Sequence, residues 1–130
     1  MGRYYDGDIS GKFWFAIQSS DAPERFGASA LEPSSIDYFF EEEELDVVSQ
    51  ELKHIEDNIV AKIGRTEYDS HNIATIRATP EHQDFEAIEL LAMKHRGDEK
   101  FLSELADYQL GCRIEASLKL NGQCSFTAEL

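Results

Sequence analysis

Leu45, Val48, Leu52, Ile55, Ile59 and Ile63 recur at intervals of 3, 4, 3, 4 and 4 residues. On a helix these positions form one apolar stripe, so the spacing predicts an amphipathic helix over 41–63. The run Glu41 to Glu44 stands at its start, where the positive end of the helix dipole favours carboxylates, and Gly64 suits its stop. An apolar stripe of this length must be covered. Packing on a sheet is expected, and the same spacing matches a short coiled-coil seam, which makes a homodimer the other arrangement that would bury it.

Capping signals place two further helices. Thr79-Pro80-Glu81 combines a cap, a first-turn proline and an early acid, starting a helix over 80–96 that buries Phe85, Ile88, Leu91 and Ala92 and stops at Gly97. Asp98 caps a third helix over 98–110, which carries Phe101, Leu102, Leu105 and Tyr108 and is ended by Gly111. Residues 20–27 read as one helical turn, 65–72 as polar loop and 73–77 as extended chain.

The other apolar stretches alternate. Arg3 to Gln18 reads as a β-hairpin about Ile9-Ser10-Gly11, with Asp8 opposite Lys12 and Tyr5 opposite Phe15. Phe13, Phe15 and Ile17 point to one face and Trp14 and Ala16 to the other, which places the strand inside a sheet and Trp14 in the core. Ile36 to Phe40 is an aromatic-rich strand. From Cys112 onward the apolar residues fall on even numbers, which predicts a hairpin with a three-residue loop Leu120-Asn121-Gly122, pairing Leu118 with Cys124 and Ala116 with Phe126. Cys112 and Cys124 then lie on an inward face, too far apart for a disulfide. The expected fold is α+β, a single domain over 1–130. Its antiparallel sheet is built from N- and C-terminal hairpins plus a strand near 36–40, covered by about three helices (41–63, 80–96, 98–110).

Charge narrows the function. The chain carries 26 acidic and 12 basic residues, a formal net charge of −14. Phosphate repulsion makes direct nucleic-acid binding unfavourable, and a charged partner is expected to be basic. Residues 41–64 hold eight acids against Lys53 and Lys62, a net of −6. Within that helix Glu42, Glu43, Asp46, Glu56 and Asp57 lie off the apolar stripe and are the candidate partner-binding residues. No apolar run is long enough to span a bilayer and MGRYYDGDIS lacks the apolar stretch of a signal peptide, so a soluble cytoplasmic protein with no membrane partner is expected.

Catalytic motifs are weak. Glu51 and His54 have E-x-x-H spacing, but a di-iron bundle needs two such pairs and two more glutamates. His82 and Glu86 make half a site, Asp6-Gly7-Asp8 lacks the further oxygen ligands of a calcium loop, and no nucleophile elbow surrounds Ser19, Ser20 and Asp21. A non-enzymatic protein with no metal or cofactor is expected. The alternative is a small-molecule or peptide site, or a small enzyme, using the Trp14 face with Tyr4, Tyr5, Ser19, Ser20 and Asp21 at its edge.

The stretch GRYYDGDISGKFWFAIQSSD, with RFG and IDYFFEEEEL after it, resembles the opening of uncharacterised small acidic proteins of phage and metagenomic origin. The resemblance covers roughly the first 45 residues. It implies an origin and not an activity: the basic partner expected from the charge would then be a host defence or nucleic-acid enzyme in the host cytoplasm, and this acidic binding protein its inhibitor or a nucleic-acid mimic. Its carboxylates would occupy the cationic groove of a basic protein such as a nucleic-acid-binding enzyme.

Overall fold

The computed structural model describes residues 4–12, 18, 22–27, 29–31 and 36–128. Its strands are β1 (Tyr4–Gly7), β2 (Gly11–Lys12), β3 (Ser29–Leu31), β4 (Ile36–Glu41) and β5 (Gln123–Ala128). Its helices are α1 (Leu45–Ile63), α2 (Arg65–Ser70), α3 (Ala74–Ala78), α4 (Glu86–Lys94) and α5 (Glu99–Asn121). Short 3-10 turns occupy Ala22–Phe26, where one helical turn was expected, and Glu42–Glu44. The fold is α+β. The sheet order is β2-β1-β5-β4-β3 with antiparallel neighbours throughout.

Strand β5 is the centre of the sheet and alternation sets its faces. Tyr38 and Phe40 of β4 stand opposite Phe126 and Cys124, while Tyr5 of β1 stands opposite Ala128. All six side chains are buried, and the rings of Tyr5, Tyr38 and Phe40 lie 5.3, 5.7 and 6.3 Å from that of Phe126. The alternate set (Tyr4, Phe39, Ser125, Thr127) faces away from this core and is exposed.

The largest departure from the sequence reading lies at the C-terminus. Residues 112–121 do not form the first arm of a hairpin; they continue α5, which touches β5, α1, α3 and α4. Burial explains the misreading. From Leu105 to Leu118 nearly every residue is buried, Asp107, Gln109, Glu115 and Ser117 included, so no solvent-facing side leaves a helical period. Gly111 sits mid-helix instead of ending it. Gly122 does take the left-handed conformation (φ 77°), but as the cap of α5, its N–H donating to the Leu118 carbonyl at 2.9 Å.

Other elements shift for local reasons. The β1–β2 pair registers Tyr4 with Lys12 and Tyr5 with Gly11, not Asp8 with Lys12. Asp8 is held by β5 instead: its N–H donates to the Ser125 carbonyl at 2.7 Å and its carboxylate accepts from the Ser125 N–H at 2.8 Å. The same register sets Tyr5 against Gly11 on one side and Ala128 on the other, so the expected Tyr5–Phe15 pairing does not form; the placement of Trp14 lies outside the described residues. Thr79-Pro80-Glu81 starts only a turn, and α4 begins at Glu86, whose N–H donates to the Asp84 carboxylate at 2.9 Å. Residues 65–70 and 74–78 are helical, not loop and strand, because Tyr68, Ile73 and Ile76 at that spacing all reach the core.

Helix α1 forms as its stripe predicts, with Val48, Leu52, Ile55 and Ile59 fully buried, but it begins at Leu45 and not at 41: Glu41 ends β4 and Glu42–Glu44 form a 3-10 turn. Its main partner is α5 rather than the sheet, so this chain itself fills the stripe that a second copy would have covered. Among the described residues no helix is long and apolar enough to cross a membrane.

Both cysteines are free and buried, Cys112 on α5 and Cys124 on β5. Burial pushes both thiols up, Cys124 to about 12 and Cys112 further, which depletes the reactive thiolate. A thiol reagent should therefore titrate almost nothing in native protein and both thiols on unfolding. Prompt native reaction of either would mean that the α5–β5 junction opens.

Candidate functional site

The acids of α1 divide into an inner and an outer set. At 3.6 residues per turn, Glu56 falls roughly 50° from the middle of the apolar stripe, whereas Asp46 and Asp57 fall roughly 130° or more away. That angle decides their fates. Glu56 accepts from Arg77 at 2.9 Å and from the Tyr108 hydroxyl at 2.7 Å, and only 18% of its side chain is exposed. It belongs to the interior, not to a free contact surface.

Arg77, on α3, also makes two hydrogen bonds of 2.8 and 3.0 Å to Glu115 of α5, whose side chain is 2% exposed. Ser49 donates to the same carboxylate at 2.7 Å and Lys119 stands 3.7 Å away. Burial would raise the Glu115 carboxyl, but the Arg77 and Ser49 hydrogen bonds outweigh it and hold the group below its ordinary value. This cluster ties α1, α3 and α5 together.

A second guanidinium does the same at the other end. Arg25, in the 3-10 turn, contacts Glu51 of α1 at 2.6 Å and Glu104 and Asp107 of α5 at 3.1 and 2.8 Å. Gln18 donates to Asp107 at 2.9 Å and Asn58 to Glu104 at 3.1 Å. Here burial prevails over Arg25 and Gln18, and the Asp107 carboxyl is raised. Sequence reading missed both clusters. The available signal was Arg25 beside Phe26 in a capped turn and the placement of Glu51 and Glu56 on the flanks of the α1 stripe.

The outer set is different. Glu42 and Glu43 in the turn before α1, and Asp46 and Asp57 on it, are exposed. Among the described residues Asp57 has only a 3.9 Å contact with Lys53, both side chains more than two-thirds exposed. Glu44 is used locally, accepting from the Glu41 N–H at 2.8 Å. Val47, 46% exposed, adds an apolar spot beside Asp46 and Glu43.

The aromatic alternative separates. Tyr4 is 52% exposed, while Tyr5 points to the opposite face, 3% exposed, its hydroxyl accepting from Arg113 at 2.8 Å. They do not share one ligand surface. Trp14, Ser19, Ser20 and Asp21 lie outside the described residues. Glu51 and His54 also part, Glu51 bonding Arg25 while the His54 ring meets Asn58 at 3.5 Å. Among the described residues no group of three or more His, Cys, Asp or Glu is placed to hold a metal ion.

No protein-family model, no curated protein and no solved structure matches the chain.

Proposed function

We propose that this is a non-catalytic acidic binding protein that engages a basic protein partner through Glu42, Glu43, Asp46 and Asp57. The observation that carries the reading is the sorting of charge. Five carboxylates around Arg25 and Arg77 hold a net −3 in the interior, leaving −11 of the formal −14 for the rest of the chain. Asp46 and Asp57 stand exposed on one side of α1, Glu42 and Glu43 are exposed in the turn before it, and Val47 is half exposed. Fixed anions at the surface attract Lys and Arg that otherwise hold phosphates, so a nucleic-acid-binding enzyme is the class of partner that fits, and inhibition by occupying its groove is the mechanism.

The test is capture on immobilised protein from a lysate of candidate host cells, followed by elution with duplex DNA. A bound nucleic-acid enzyme should be released by DNA and by raised salt. The variant Glu43→Lys/Asp46→Lys/Asp57→Lys should keep the unfolding midpoint and lose most of the capture, because none of the three supports the interior clusters. Equal capture by that variant, indifferent to DNA, would overturn the proposal.

A further inference from the structure

A recess of about 240 Å³ lies where the β1–β2 turn meets the last turns of α5. Its walls include Asp8, Ser10, Gln83, Arg113 and Leu120. Three arginines are partly buried among the described residues: Arg25, Arg77 and Arg113. The first two each hold at least two carboxylates, whereas Arg113 forms no ion pair with a described residue. Its guanidinium is instead fixed in place by neutral groups. It lies 4.9 Å from the centre of the Phe85 ring, and one Nη1–H donates to the Tyr5 hydroxyl at 2.8 Å. Most of its donors remain uncommitted to any described residue. In a chain of −14, a cation held in a recess with no described acid on it is a positioned anion receptor.

Asp8, which lines the same recess, carries the complementary charge. Asp8 is anchored through Oδ2 by the Ser125 N–H at 2.8 Å, which leaves Oδ1 without a described partner. Asp8 and Arg113 line the same recess yet form no ion pair with each other. A simple anion would meet the negative field of the whole chain and the Asp8 carboxylate; a simple cation would meet Arg113. A molecule with both charges suffers neither conflict. Leu120, half exposed, also lines the recess and offers apolar contact to a ligand side chain.

We infer that this recess is a binding site for a small zwitterion of the amino-acid class. The ligand's carboxylate lies on Arg113, its ammonium on Asp8 and its apolar side chain against Leu120. The volume is below that of pockets that take drug-sized ligands, which suits a ligand of this size. The site is independent of the acidic face of α1, and either can fail without the other.

The test is titration of the isotopically labelled protein with L-leucine, following the Arg113 Nε–H and Ser10 amide resonances. Two probes carry half of the recognition each: 4-methylpentanoate, which lacks the amine, and 3-methylbutylamine, which lacks the carboxylate. L-Leucine should shift both resonances saturably, and each half-ligand should bind at least tenfold more weakly. Asp8→Asn should weaken L-leucine to the level of the carboxylate alone. Leu120→Asp, a change at a half-exposed position that leaves the core untouched, should weaken it tenfold. Absence of a saturable shift with L-leucine, or equal shifts with 4-methylpentanoate, would overturn the site.

Discussion

Replacing Arg77 with methionine should lower the unfolding free energy by about 3–5 kcal/mol at neutral pH, the scale for removing one partner of a buried ion pair. The loss comes less from the bonds themselves than from what they leave behind. Glu115, 2% exposed, would keep Ser49 and the 3.7 Å contact with Lys119, but would lose both Arg77 bonds. The sign of the pH dependence follows. In the native chain the Glu115 pKa is below its ordinary 4.5, so its contribution is present above that value and lost as pH falls through the folded value. Without Arg77, burial is opposed only by Ser49 and Lys119, and the Glu115 pKa moves upward. The gap between variant and wild type should therefore be widest near neutrality and narrow below 4.5. Denaturant unfolding at both conditions checks this. Adding Glu115→Gln to Arg77→Met should recover at least half of the loss; a gap that stays constant with pH, or no recovery, would show that Arg77 acts through packing alone.

The parts of this fold that were legible in the sequence are those with a solvent-facing side. The α1 stripe shows because Asp46, Lys53 and Asp57 alternate with Val48, Leu52 and Ile55 on opposite sides of one cylinder. The alternation of β5 shows because Gln123, Ser125 and Thr127 face outward between Cys124, Phe126 and Ala128. Helix α5 lacks that contrast. A helix packed on several sides has no polar stripe, and the even spacing of Cys112, Ile114, Ala116 and Leu118 then looks like a strand. The same burial hid the site chemistry. Glu56, Asp107 and Glu115 read as ordinary acids until three-dimensional packing brings Arg25 and Arg77 onto them, and those partners lie 21 to 82 residues away. Exposed Asp46 and Asp57 needed no distant partner, and their spacing alone sets them off the stripe, whereas Glu42 and Glu43, expected on the helix, are exposed in the turn before it.

Gly111→Ala should destabilise the protein by about 2 kcal/mol or more, although glycine to alanine inside an ordinary exposed helix gains about 1 kcal/mol. A Cβ at this position would stand 2.6 Å from Phe26 Cε1 and 2.7 Å from Leu52 Cδ2, closer than carbon atoms approach without contact strain. Neither neighbour can yield into solvent, since both are 0% exposed. The absence of a side chain at 111 is what lets Phe26 and Leu52 close over the middle of α5. Displacing Phe26 would also drag its neighbour Arg25 away from Glu51, Glu104 and Asp107, so the cost of overpacking extends into the charged cluster. Chemical denaturation of the single variant measures the loss. Phe26→Leu removes ring atoms at the point of contact, so Gly111→Ala/Phe26→Leu should be more stable than the sum of the two single changes allows. A Gly111→Ala protein as stable as wild type would mean that the turn at Ala22–Phe26 is not seated on α5, and that Arg25 does not depend on it for its place among the three carboxylates.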